Sequence, residues 1–255
     1  MPEGGSIEPF VATGYSLIDT SLGERLGSIR ARFVAVFDHV ARLNGRGPVR
    51  SDADIERLYR GEHRPLWVGA YDTLRYLPEV SALAAEPAFL DAARACDIRF
   101  PALANRLIVR ADMPADDKWA FPPHQDYVYN HGSLNSITIW IPFQDVPAEL
   151  GPLHVWPGSH LGGLKPQKGG LLVAYDEGAA RPVPMRLGQA LVFSQFLPHR
   201  SGLNRSGTIR FSLQIRYNDL SSAHYARRAY FINRASVTTD PEFATAYPVD
   251  GEARF

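Results

Sequence analysis

The stretch Thr208–Tyr217, TIRFSLQIRY, puts Ile209, Phe211, Leu213 and Ile215 on one face and Arg210, Ser212, Gln214 and Arg216 on the other. Side chains alternate across a strand, so this period of two predicts a β-strand with one apolar and one polar face. A second run repeats the pattern, with Ile137, Ile139 and Ile141 opposite Ser136, Thr138 and Trp140. A polar face is either solvated or turned into the lumen of a barrel. We prefer the lumen, with the isoleucine-rich faces covered by helices from elsewhere in the chain.

Outward from these two runs, period-two segments fall at Leu103–Asp112, Ser136–Phe143, Leu153–Trp156, Leu171–Tyr175 and Ala190–Phe196. Many short strands with turn residues between them predict a mainly β barrel or jelly roll. Before Pro101 the period changes. Leu22, Leu26, Ile29, Phe33, Phe37 and Val40 recur every three to four residues and predict an amphipathic helix. Ser21 is its expected N-cap, with Glu24 completing the capping box, and Asn44-Gly45 and Gly47-Pro48 end it. Arg25, Arg30 and Arg32 then read as a solvated face. Shorter helices are expected at Asp52–Arg60, Pro65–Tyr76, Pro78–Ala85 and Pro87–Cys96, with prolines at their starts. Residues 1–100 thus form a helical scaffold, 101–220 a β core and 221–255 a C-terminal extension. No polar linker divides them, so a single domain over 1–255 is expected.

The chain of 255 residues is 45% hydrophobic and 21% charged, which allows a sizeable core and argues against wholesale disorder. Lys plus Arg number 27 and Asp plus Glu 27, so no overall field attracts nucleic acid or an anionic membrane. Cys96 is the only cysteine; an intramolecular disulfide framework and a cysteine-rich zinc site are excluded, and a reducing, cytoplasmic compartment fits. Met1–Ala12 lacks the basic start and apolar core of a secretory signal. No run reaches the roughly 18 apolar residues that span a bilayer. A soluble protein acting on a small molecule is expected, with no sequence signal for its oligomeric state.

Chemistry concentrates in Pro122-Pro123-His124-Gln125-Asp126. On an extended strand, positions i and i+2 point to one side, so His124 and Asp126 can reach one metal. His199, after the apolar run Ala190–Phe196, supplies a third ligand. Two histidines and a carboxylate leave three positions open, as in non-haem iron(II) oxygenases. The same donors can hold zinc with an open position. Arg210, eleven residues after His199 and on the polar face of its strand, can pair bidentately with the distal carboxylate of a keto diacid, with Ser201 adding a hydroxyl. That arginine favours the oxygenase over zinc or manganese chemistry, for which it has no use.

The other polar residues read more plainly. His160, in the turn Pro157-Gly158-Ser159-His160, fixes loop geometry, and His131 and His154 are surface or wall residues. Tyr127, Tyr129, Asn130 and Asn135 can line a substrate mouth or merely form a loop. Arg106, Arg110 and Arg216 can contact an anionic substrate if they face inward, though on strands such arginines more often occupy a solvated rim.

The run His124-Gln125-Asp126, then Thr138-Ile139-Trp140-Ile141-Pro142, Glu149-Leu150-Gly151-Pro152-Leu153, Trp156-Pro157-Gly158-Ser159-His160, and finally His199, Ser201 and Arg210, resembles the phytanoyl-CoA dioxygenase family of iron and 2-oxoglutarate oxygenases over about Arg106 to Asn218. The resemblance implies a double-stranded β-helix, cupin-like, and Fe(II), 2-oxoglutarate and O2 as cofactor and co-substrates. It maps the metal ligands onto His124, Asp126 and His199, the co-substrate arginine onto Arg210, its serine onto Ser201 and an inward tryptophan onto Trp140. Thr138, on the Trp140 face, becomes a co-substrate neighbour. Related halogenases replace the carboxylate by a small residue, so Asp126 points away from halogenation. The implied reaction is hydroxylation of a small organic metabolite, in natural-product biosynthesis, with release of succinate and CO2. Desaturation, cyclisation or epoxidation are variants of the same start. The alternatives are another metal-dependent cupin enzyme, an isomerase or hydrolase, and a non-catalytic ligand-binding barrel.

Overall fold

The computed structural model describes residues 8–104 and 107–227. Its centre is the strand that the alternating stretch predicts. With strands numbered in chain order, this is β11 (Arg210–Asp219), which pairs antiparallel with β4 (Ile137–Pro142) on one side and with β2 (Pro101–Leu103) and β3 (Ile108–Asp112) on the other. The register sets Leu213 opposite Ile141, Ile215 opposite Ile139 and Tyr217 opposite Ile137, so the apolar rows of neighbouring strands coincide. β9 (Gln189–Ser194) continues the sheet beyond β4, and β1 (Tyr15–Asp19) closes its far edge. A smaller antiparallel sheet comprises β5 (His154–Val155), β8 (Arg181–Pro182) and β10 (His199–Arg200), accompanied by the pair β6 (Gln167–Lys168) and β7 (Leu171–Leu172). Single bridges from His124 to Leu171 and to His199 tie that pair to β10. Two antiparallel sheets with helices flanking the larger one make a jelly roll.

The apolar face of the larger sheet is covered by the N-terminal helices, as expected. Ile209, Phe211, Leu213 and Ile215 share one buried core with Ile137, Ile139, Ile141 and the helical residues Leu26, Ile29, Phe33 and Phe37. Phe33 sits at the join, with ring centroids 4.9 Å from Phe143 and 5.4 Å from Phe211. Trp140, on the opposite face of β4, packs in a second cluster with Leu153, Val155, Leu191 and Leu197.

The helical layer comprises α1 (Glu8–Thr13), α2 (Gly23–Leu43), α3 (Asp52–Arg60), α4 (Arg64–Thr73), α5 (Pro78–Ala82) and α6 (Pro87–Ala95), with 3₁₀ turns at Leu74–Tyr76 and Leu83–Ala85. Ser21 does not cap α2. Leu22 occupies the N-cap without a side-chain bond; Thr20 fastens the turn instead, donating to Gly188 O at 2.6 Å and accepting from Leu22 N at 3.3 Å. The capping box lies at α3, between Ser51 and Asp54. Nor are Arg25, Arg30 and Arg32 a plain solvated face. They pair with Glu86, Asp52 (2.6 Å) and Glu79 (3.5 Å), stapling α2 to its neighbours. Asp52 also accepts from Ile209 N at 2.9 Å, joining the helical layer to the approach of β11.

The expected strand Leu103–Asp112 is two strands, β2 and β3, because they pair with successive halves of β11. Arg106 lies outside the described residues, as does the extension beyond residue 227. Two further short helices, α7 (Tyr127–Asn130) and α8 (Ala223–Arg227), complete the elements. Among the described residues no helix is long and apolar enough to cross a membrane.

Candidate metal centre

His124 and His199 are directly opposed, each backbone N–H donating to the other's carbonyl at 3.0 Å. Residues paired in this way carry their side chains on the same side of the sheet. Their rings lie 4.1 Å apart, centroid to centroid. The segment is not the extended strand expected from the sequence. After the two isolated bridges at His124 the chain turns, Asp126 adopts φ −63°, ψ −28°, and α7 begins. The turn brings Asp126 Oδ1 to 3.5 Å from His124 Nε2 and 3.8 Å from His199 Nε2. Gln125 points the other way and anchors the turn, donating to Gly163 O and Phe196 O and accepting from Lys165 N.

Each histidine is held in one tautomer. Nδ1 of His124 lies 2.8 Å from Pro122 O and Nδ1 of His199 lies 2.9 Å from Leu197 O. A carbonyl only accepts, so both Nδ1 atoms carry hydrogen, and Nε2 is the atom that each ring turns to the carboxylate. Burial, reinforced by the neighbouring His124, pushes His199 down to about 3, so its imidazole is neutral. Burial also opposes ionisation of Asp126, but Arg216 above all, with the two histidines, holds its carboxyl well below the ordinary range. Two imidazole Nε2 atoms and an ionised carboxylate, with ligand atoms within 4.8 Å of one another, fit a divalent first-row metal. No other such cluster occurs among the described residues.

Asp126 is itself oriented. Arg216 donates from Nε to Oδ2 at 3.0 Å and from Nη2 to Oδ1 at 3.1 Å, and Thr138 Oγ1 donates to Oδ2 at 2.6 Å. Arg216 is therefore buried at the site rather than on a solvated rim. Thr138, expected beside the co-substrate, donates to this carboxylate.

Arg210 faces inward and is 1% exposed. Its terminal nitrogens are engaged, Nη2 with Asp112 Oδ2 at 2.9 Å and Nη1 with Gly202 O at 3.1 Å and Leu150 O at 3.3 Å. The open fork expected from the sequence is thus already occupied, and Nε is the atom left without a partner. Ser212 Oγ, on the same face of β11, is likewise buried without one. Trp140 lies beside this arginine, its ring 6.0 Å from the guanidinium carbon. Asp112 also pairs with Arg110 at 2.6 Å, so two guanidinium groups share one carboxylate and the cluster keeps one positive charge.

The metal triad opens into a cavity of about 230 Å³ whose wall includes Arg110, Phe121, Tyr129, Leu153, Ser201, Gln214 and Arg216. Ser201 and Arg110 take places that the sequence suggested, and so do Tyr129 and Asn130. Tyr127 instead stacks on Phe196 at 4.4 Å, and Asn135 bonds Asp97 O and Asp219. His131 is buried at the C-cap of α7, φ +48°, rather than on the surface. His160 bonds the backbone of Val11 and packs against Gly14, a structural role. Phe121, which packs edge-on against His124 at 4.2 Å, carried no signal in the sequence beyond its place before two prolines.

The phytanoyl-CoA dioxygenase (PhyH) family profile matches residues 31–212, and the chain belongs to this family. The family works with Fe(II), 2-oxoglutarate and O2, and the His-Asp-His group provides the matching donors. Among solved structures, the non-heme monooxygenase ThoJ in its apo form is 22% identical, with 83% of this chain and 76% of that one covered and a TM-score of 0.57. SnoK, a non-heme alpha ketoglutarate dependent carbocyclase from nogalamycin biosynthesis, is 18% identical, covering 87% and 88%, TM-score 0.57. The epimerase SnoN, in complex with Fe3+, alpha ketoglutarate and nogalamycin RO, is 20% identical, covering 83% and 81%, TM-score 0.55. These likenesses establish the shared jelly-roll fold. No curated relative matches the chain in sequence.

Proposed function

We propose that this protein is an Fe(II)- and 2-oxoglutarate-dependent dioxygenase that hydroxylates a small organic metabolite of natural-product biosynthesis. The carrying observation is the pairing of the triad with a buried, positively charged cluster that has unpartnered donors beside it. His124, Asp126 and His199 hold the metal, and Arg216 and Thr138 aim the carboxylate at it. Arg210 Nε and Ser212 Oγ, buried without partners on the face of β11 that also carries Gln214 and Arg216 of the cavity wall, are donors of the kind a carboxylate of 2-oxoglutarate accepts from, and Ser201 lines the metal cavity itself. The surplus charge of Arg110 and Arg210 over Asp112 makes that carboxylate welcome. Bound iron supplies oxidative decarboxylation of the keto acid with O2, giving succinate, CO2 and the power to take a hydrogen atom from a substrate. Phe121, Tyr129 and Leu153 wall the cavity with apolar and aromatic surface, which limits water near the reacting centre.

The likeness to SnoK and SnoN favours natural-product chemistry, and hydroxylation is the simplest outcome of hydrogen abstraction. The test is succinate release by the intact protein under Fe(II), 2-oxoglutarate and O2, with and without a panel of candidate substrates. Release that requires iron and falls sharply in Asp126→Ala and Arg210→Ala is expected. No release with any substrate, nor uncoupled, overturns the proposal; a zinc-supported activity that survives Arg210→Ala would identify a different metal enzyme. Mass spectrometry of the product then separates addition of one oxygen from loss of two hydrogens and from an unchanged mass.

A further inference from the structure

The metal cavity has a neighbour. A cleft of about 420 Å³ lies between α4 and the approach to Phe121, and it shares Arg110 and Phe121 with the metal cavity as a common wall. Its own surface is mainly aromatic and aliphatic, with Trp67, Val68 and Tyr71 from α4 and Trp119 from the facing loop, and α4 adds the charged side chains of Arg64 and Asp72. Trp119 is 55% exposed and Val68 41%, large apolar side chains left open to solvent opposite one another. Both walls are braced. Trp67 stacks on Tyr71 with centroids 4.7 Å apart and planes 11° apart, and Trp119 Nε1 donates to Tyr59 OH at 2.9 Å. Arg110, at the junction, is fixed by Asp112 and by the carbonyl of Trp119 at 2.7 Å.

Volume argues that the cleft is used. Pockets for drug-sized ligands usually hold about 300–1,000 Å³. The metal cavity alone falls below that range and must also take the co-substrate; the two spaces together lie within it. Braced aromatic surfaces on both sides favour flat rings, which stack on them at little entropic cost. The arginine at the junction adds a preference for an anionic oxygen.

Building on the oxygenase reading, we infer that the substrate is an aromatic or polycyclic compound bearing an anionic oxygen. Its ring portion lies between Trp119 and α4, its anionic oxygen meets Arg110, and the carbon to be oxidised reaches the metal past Phe121.

The probe is 8-anilinonaphthalene-1-sulfonate, a ring system with a permanent negative charge, titrated by fluorescence into the full-length protein. Saturable binding is expected, weakened at least tenfold in Trp119→Ala and in Val68→Glu and unchanged in Leu161→Glu, which alters an exposed leucine elsewhere. N-phenyl-1-naphthylamine, the uncharged analogue, should bind several-fold more weakly. In the iron-loaded enzyme the sulfonate should slow uncoupled succinate release, with half-effect at its binding concentration. Binding indifferent to Trp119→Ala and Val68→Glu overturns the cleft, as does weakening that accompanies dimerisation of the variants. Equal affinity for the two dyes overturns the anionic preference, and saturation without effect on succinate release overturns the link to the metal. Absence of succinate under every condition would sink the oxygenase reading instead, and the dye titration would still report on the cleft.

Discussion

The carboxylate of Asp126 is the residue on which the site turns, because it must stay ionised while 2% exposed. Arg216, which bonds both carboxylate oxygens, and Thr138, which bonds Oδ2, make that possible and hold Oδ1 toward the two histidines. Outer partners of metal ligands typically carry 10–100-fold in metal affinity. Thr138→Val keeps the side-chain shape and removes the hydroxyl, so it should weaken Ni(II) binding about 10-fold or more by that rule, measured by isothermal titration, with thermal stability little changed. Affinity equal to wild type would show that Thr138 does not orient the ligand. The grouping of His124, Asp126 and His199 was legible in the order of the motifs, whereas the turn that brings Asp126 to the histidines was not. The sequence assigned Arg210 to the co-substrate and left Arg216 at a solvated rim, although both lie on the inward face of β11. What separates them is position along the strand: Arg216 meets the turn at Asp126, while Arg210 meets Asp112 of β3.

Among elements, the connection after β4 shows how backbone builds the surroundings of Arg210. Leu150 O and Gly202 O both accept from Arg210 Nη1, which requires the two loops to touch. Gly151 allows the contact: it sits at φ +73°, and a Cβ there would collide with the carbonyl of Leu203. Gly151→Ala should therefore cost about 1–3 kcal/mol through strain at a left-handed position, lowering the melting temperature by several degrees. Its half-saturating 2-oxoglutarate concentration should rise while Ni(II) affinity holds. A melting curve and a co-substrate titration that both match wild type would remove the loop contact from the argument. Long periodic elements such as α2 and β11 could be read from the sequence, because each carries several turns or alternations of its own pattern. Two-residue strands such as β8 and β10 could not, since they exist only through their partners, and β1 was missed as an edge whose pairing with β9 joins distant parts of the chain.

For the whole molecule, the end of β11 is a junction where helical layer and sheet are held by one buried charge. Asp219 accepts from Phe100 N at 3.0 Å, from Asn135 Nδ2 at 3.0 Å, and from the backbone and hydroxyl of Ser221. Burial raises its carboxyl, but these hydrogen bonds outweigh it and bring the group from an ordinary 3.8 down to about 2. A carboxyl whose folded value is depressed stabilises the fold above its unfolded value, and that contribution is lost as pH falls toward the folded one. The difference is worth about 2 kcal/mol at neutral pH, and about half of it should be gone by pH 3. Asp219→Asn cannot ionise in either state. Urea unfolding of the full chain should therefore show wild type ahead of the variant by a margin that is constant from pH 7 to pH 5 and narrows between pH 4 and pH 2. A margin independent of pH over that window would mean that Asp219 contributes hydrogen bonds but no linked proton, and the junction would then stabilise the fold without sensing acid.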